Sequence, residues 1–140
     1  MTDPSETLAA LRWWQEHSAL DGMVETLVEA IEGRDSDAAR AAAEDLFGAM
    51  DAHAREEEAV YFPLIERYGP DQADAIRRAR AAHVELREDL DAVRSALGGG
   101  DLPAARGALE QLLERFRLHE EAEARLLDQL RAGSAAERSG

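Results

Sequence analysis

The sequence has no cysteine, no lysine and no asparagine, only 4 prolines, and few aromatics (2 Trp, 2 Tyr, 3 Phe). Without cysteine, disulfides and thiolate metal sites are excluded. No apolar run approaches the ~20 residues that span a bilayer. β-Branched residues are scarce and no stretch alternates with period two, so strands are not expected. Cations are also few: 16 basic residues, all Arg, stand against 30 acids, for a formal net charge of −14. That excess repels phosphate and so argues against nucleic acid or an anionic membrane surface as a partner. The first residues carry acids instead of a basic leader; no secretory signal is read there, and a cytoplasmic protein is the expectation.

What is present is helical. A length of 140 residues suits one domain with a real core. Asp3-Pro4-Ser5-Glu6 reads as an N-cap, a proline at the first helical position and an acid at the third. The first helix should run to about Glu32 and stop at Gly33. A second, capped by Asp35 or Ser36, should reach about Tyr68, before Gly69-Pro70. A third should span Asp71 to Gly98. A fourth should start near Asp101-Leu102-Pro103 and fade at Gly133. The expected fold is all-α, an up-down-up-down antiparallel four-helix bundle over 1–132, with 133–140 a flexible tail.

Each helix carries a stripe with 3-4 spacing. The first gives Trp13, His17, Leu20, Val24, Leu27 and Ile31; the second Leu46, Met50, His53, Glu57, Val60 and Leu64. The third gives Ile76, Ala79, His83, Leu86, Leu90, Val93 and Leu97; the fourth Leu109, Leu112, Phe116, His119, Glu123, Leu126 and Leu130. The stripes repeat at an offset of 66, which carries His17, His53 and Glu57 onto His83, His119 and Glu123. Two helical hairpins related by a pseudo-twofold axis are implied.

Six ionisable residues interrupt these stripes, including all 4 histidines of the chain. His53/Glu57 and His119/Glu123 are i, i+4 pairs, so each pair projects from one helix face. Counting about 1.5 Å of rise per residue puts all six within roughly a 10 Å slab. A lone buried histidine is ordinarily a hydrogen-bonded core residue. Six such residues in one layer differ, because two buried carboxylates repel unless a cation neutralises them. A metal site follows: His17, His53, Glu57, His83, His119 and Glu123. Four imidazoles and two carboxylates offer mixed N and O donors for two metals, favouring iron, with manganese the second choice. Positions left open suit a bridging oxide or hydroxide and a small ligand such as dioxygen, peroxide or nitric oxide.

The ordered set His17, His53-x-x-x-Glu57, His83 and His119-x-x-x-Glu123 resembles the hemerythrin-like (HHE cation-binding) family over roughly residues 5–131. The strongest segment is His-Ala-Arg-Glu-Glu-Glu-Ala-Val-Tyr-Phe-Pro-Leu-Ile, 53–65. Ferritin-like bundles use Glu-x-x-His instead, a spacing absent here. The resemblance implies that His17 and His53 bind one iron and His83 and His119 the other, with Glu57 and Glu123 bridging. It also matches Pro63, which should kink the second helix by removing a donor. One position departs: where oxygen carriers of the family have a fifth histidine, four residues after the third-helix histidine, this chain has Arg87. That leaves one iron (Fe2+/Fe3+) with an extra open position unless Glu56, Glu120 or Asp21 reaches in.

The functional expectation is a non-heme di-iron protein that binds or reduces dioxygen, peroxide or nitric oxide. Oxidase- or peroxidase-type turnover is left open, and the electron donor is unknown. The alternative is iron storage or delivery, or an oxygen-sensing binding protein without turnover; a plain structural bundle is the remaining one. Two further expectations concern neighbours of the site. Asp21 and Arg87, paired by the repeat, should form an ion pair above the metals. Trp13 and Tyr61, each four residues from a proposed ligand, are read first as packing residues, with shielding of the site or a hydrogen bond to it as the alternative.

Overall fold

The computed structural model describes the backbone of residues 4–68 and 70–139 and the side chains of 15–67 and 71–128. Trp13, Leu130 and the Asp3 cap lie outside the described side chains. Four helical rods and no strand make up the described residues. The first rod is α1 (Pro4–Glu32). The second is α2 (Ser36–Glu56), a π-helical turn (Glu57–Tyr61) and α3 (Phe62–Tyr68). After a 3₁₀ turn (Pro70–Gln72) come α4 (Ala73–Gly98) and α5 (Leu102–Ser139). α1 packs on α2 and α5, and α4 packs on α2 and α5, so the rods form a closed ring of antiparallel neighbours. α5 stays helical past Gly133, where the sequence puts its end. One glycine costs a helix about 1 kcal/mol, and the alanines and arginine that follow are good helix formers. No helix among the described residues is long and apolar enough to cross a membrane.

The two hairpin turns are built alike. Asp35 N–H reaches Ala30 C=O at 3.0 Å and Arg34 N–H reaches Ile31 C=O at 3.1 Å; Asp101 N–H reaches Ala96 C=O at 2.9 Å and Gly100 N–H reaches Leu97 C=O at 3.1 Å. Both are Schellman closures with a left-handed residue. That residue is Gly100 (φ 72) in one turn and Arg34 (φ 57), not Gly33, in the other. Asp35 then caps α2 by accepting from Ala38 N–H at 3.1 Å, and Asp101 caps α5 by accepting from Ala104 N–H at 3.0 Å. Every one of these pairs is related by the offset of 66.

The core falls into two apolar clusters. The larger lies towards the hairpin turns and includes Leu27, Leu46, Leu90, Val93 and Leu112. The smaller holds Tyr61, Phe62, Ile65, Ile76, Ala79, Leu126 and Leu127. Each fully buried leucine contributes about 1.5–3 kcal/mol. The six polar stripe residues form the layer between the clusters.

The second rod corrects the sequence reading of its stripe. Val60 is 38% exposed and Leu64 only half-buried, whereas Tyr61, Phe62 and Ile65 are at most 5% exposed. The π turn is the cause. Phe62 N–H bonds to Glu57 C=O, five residues back, so one extra residue enters the turn and every later side chain advances by one. Pro63 explains its position: it has no N–H to give Ala59, and its ring would crowd that carbonyl in a regular α-turn. The distortion is thus a π turn beside Glu57. The repeat offset falls from 66 to 65 beyond it, so Tyr61 and Phe62 match Leu126 and Leu127.

Candidate metal centre

α1 presents His17, the end of α2 His53, the start of the π turn Glu57, α4 His83, and α5 both His119 and Glu123. Their donor atoms form two groups, His17/His53/Glu57/Glu123 and His83/His119/Glu57/Glu123, with all atoms in a group within 4.8 Å of one another. Both glutamates belong to both groups. All six residues singled out in the sequence therefore converge. Glu57 is 1% and Glu123 3% exposed; His17, His53 and His119 are buried, and His83 is nearly so.

Within the first group, Nε2 of His17 lies 2.8 Å from Nε2 of His53. The latter lies 2.5 Å from Glu57 Oε1, and His17 Nε2 is 3.5 Å from Glu123 Oε1. In the second, His119 Nε2 is 2.8 Å from Glu123 Oε1, and His83 Nε2 is 3.6 Å from Glu57 Oε1. The imidazoles meet edge-to-face in two pairs, with centroids 4.6 Å apart for His17/His53 and 4.8 Å for His83/His119. The pseudo-twofold of the sequence is thus present in the side chains.

Electrostatics shows what the cluster lacks. Burial alone would raise the Glu57 pKa, but the facing imidazoles of His53 and His83 hold it down at about 2. Burial also disfavours a charged His53, yet Glu57 and then Glu16 outweigh it and raise that pKa. For His119 burial prevails and lowers the pKa to about 4. Several buried atoms have no well-formed hydrogen bond: Glu57 Oε1, both oxygens of Glu123, and both ring nitrogens of His83 and His119. Buried polar atoms are rarely left so. Imidazole nitrogens and carboxylate oxygens gathered around two points fit a pair of cations, which would use those lone pairs and neutralise the adjacent carboxylates.

Three outer carboxylates were not identified as a set in the sequence. Glu16 lies 2.9 Å from His53 Nδ1, Glu120 3.5 Å from His17 Nδ1, and Glu58 3.6 Å from His83 Nδ1. The Glu16 contact is of hydrogen-bond length and turns His53 Nε2 to the centre, whereas Glu120 and Glu58 stand farther off beside the outer nitrogens of His17 and His83. Each carboxylate neighbours a proposed ligand in sequence but serves a histidine on the next rod, so helical spacing alone does not reveal it. Glu120, considered as an inward ligand, instead reaches the outer side of His17. Tyr61 joins Phe62 and Leu126 in an apolar wall against Glu57 and Glu123, and Phe62 stacks on His83 at 5.9 Å.

The expected Asp21–Arg87 pair does not form. Arg87 hydrogen-bonds Asp51 of α2. Asp21 faces Glu120; burial first, then the Glu120 charge and a shared hydrogen bond, push its pKa up to about 6. Side chains on the rim take partners across helix interfaces, which stripe spacing does not specify.

Comparison with known proteins agrees with this arrangement. The family model described as the hemerythrin HHE cation binding domain matches residues 9–130. No curated protein and no solved structure matches the chain in the same comparisons. The match covers most of the chain, including all six converging residues, and the chain belongs to the hemerythrin HHE cation-binding domain family.

Proposed function

We propose that the chain holds two iron ions and binds or reduces dioxygen or a related small molecule such as peroxide or nitric oxide. His17 and His53 would hold one ion, His83 and His119 the other, and Glu57 and Glu123 would be shared. The observation that carries this reading is the pair of donor groups with both glutamates in common. Donor type supports iron, since imidazole and carboxylate without thiolate suit a non-heme centre. When bound, iron supplies the redox chemistry.

The chain's own residues supply holding, orientation and exclusion of water. Glu16 orients the His53 imidazole, and Glu120 and Glu58 set negative charge beside the outer nitrogens of His17 and His83. Tyr61, Phe62 and Leu126 close one side of the centre. On the other, position 87 is an arginine that turns away to Asp51, and no imidazole enters from there. That absence of a protein donor favours a position for an external ligand.

Iron per chain, measured with an optical spectrum before and after oxygen exposure, tests the proposal. About two irons and near-ultraviolet bands characteristic of non-heme iron are expected. Oxygen added to the reduced form then separates a stable reversible change, as for a binding protein, from rapid irreversible oxidation, as for turnover or iron handling. Iron content unaltered by His53→Ala or Glu123→Ala would overturn the assignment.

A further inference from the structure

α2 and α4 part beside the donor cluster, and a pocket of about 220 Å³ opens between them. Its floor is formed by imidazoles of the cluster and Glu123, and Arg55, Glu58, Arg80 and Arg87 stand at its mouth. Its walls are Leu20, Phe47, Met50, Leu86, Leu90 and Phe116. The rim is organised by Asp51, which hydrogen-bonds Arg87 and lies 3.0 Å from Arg55. Because Arg87 leans out to Asp51, it does not fill the space one turn beyond His83.

The volume bears on what the pocket admits. A water occupies about 30 Å³ of liquid, and an apolar cavity of about 150 Å³ holds a benzene molecule. The space is therefore several times larger than a diatomic gas needs. The pocket opens to solvent between α2 and α4, so a molecule of that size can reach the donor cluster from outside. The arginines that line the pocket stand at its exposed mouth, where Arg55 and Arg87 are already paired with Asp51, so a charged occupant seated deeper would lose its hydration among leucines and phenylalanines.

We propose that this pocket binds a neutral, largely apolar molecule about one ring in size, admitted between α2 and α4 and seated against the donor cluster. A polar substituent on that ring would point to the floor, where the imidazoles and the Glu123 carboxylate lie. That the occupant meets bound iron rests on the reading above; its binding to the pocket does not.

Benzene and phenol are the probes, titrated into the full chain in both metal-free and iron-loaded form and followed by methyl NMR spectra. Saturable shifts are expected at Met50, Leu86 and Leu90 in both forms, with intermolecular NOEs to the Phe116 ring. Met50→Trp and Ala54→Leu, at half-buried positions lining the pocket, should weaken binding at least tenfold while the helical spectrum is kept. No saturation, NOEs to a different part of the chain, or undiminished affinity in both folded variants would each overturn the proposal. Should the variants not fold, the NOEs of the parent chain decide. Iron content of the same samples keeps the two readings apart. Benzene bound by a chain that takes up no iron retains the pocket and removes the metal centre; iron uptake without probe binding does the reverse.

Discussion

Glu16 accepts the Nδ1–H of His53 at 2.9 Å, and the repeat gives His119 no such partner. The offset of 66 carries His53 onto His119 and Glu16 onto Ala82. His119 Nδ1 is accordingly buried without a hydrogen bond, and Ala82 lines a groove that reaches it. The two histidines occupy matching places, yet one pKa is raised and the other lowered. Loss of an outer carboxylate typically weakens metal affinity by about 10–100-fold. Glu16→Gln should do so at the His17/His53 position, and Ala82→Glu should strengthen the His83/His119 position. Competition of ferrous iron with a chelator measures both; two unchanged affinities would show that these carboxylates do not support the centre.

The π turn makes a sharp prediction about the second rod. In a regular α-helix Val60 would face the core, but here Ile65 is 5% exposed and Val60 38%. Val60→Ala should change stability by about 0.5 kcal/mol or less, as surface substitutions do. Ile65→Ala should cost about 2–5 kcal/mol. Chemical denaturation of the metal-free variants checks the order, and equal losses would return the rod to α-helical register.

These two cases mark where the sequence was legible. The stripes place His17, His53, Glu57, His83, His119 and Glu123 in one layer because helical period and turn position are local properties. Gly99-Gly100 and Asp35 mark the turns for the same reason. The one-residue advance at Glu57–Tyr61 was not legible, since a π turn leaves no period of its own and Pro63 reads equally well as a kink. Nor was the partner of Arg87: Asp51 lies on another helix, and a long side chain reaches it only through the packing of two rods. Glu16 was hidden because it sits one position from His17, on a different face, while its contact is on α2.

Arg34 holds a backbone conformation that its repeat-mate Gly100 adopts without strain. The φ of 57° at Arg34 places a Cβ where the left-handed region costs about 1–2 kcal/mol. Glycine gives back part of that through its freer unfolded chain, about 0.5–1 kcal/mol. Arg34→Gly should therefore stabilise by about 0.5–1 kcal/mol, read as a rise of a few degrees in Tm. A fall in Tm would mean that the arginine side chain contributes more than its backbone strain.

Asp21 gives a pH signature. Its folded pKa is raised from 3.8 to about 6, by burial and then by Glu120, so the folded state binds its proton more tightly than the unfolded chain. The associated stability is fully present below about pH 4 and is lost as pH rises through 6. Asp21→Asn should thus stabilise the metal-free protein above pH 6 and make little difference below 4. Asp21 is largely exposed, so screening holds the gain to about 1 kcal/mol or less. Melting curves of both chains between pH 4 and 8 follow the gap, and a gap that widens on acidification would reverse the sign.

Glu123 sets stability against metal retention. Both its oxygens are buried without a well-formed hydrogen bond, and Glu57 belongs to the same two donor groups. Replacing a poorly satisfied buried charge with an apolar side chain of similar size often stabilises a protein. Glu123→Leu should therefore raise the stability of the metal-free chain by about 1–3 kcal/mol. The same change removes a donor from both groups, so added ferrous iron should raise Tm in the parent chain but not in the variant. If Glu123 were only a structural residue, the substitution would leave the metal-dependent rise intact, and the two melting curves taken with iron would move together.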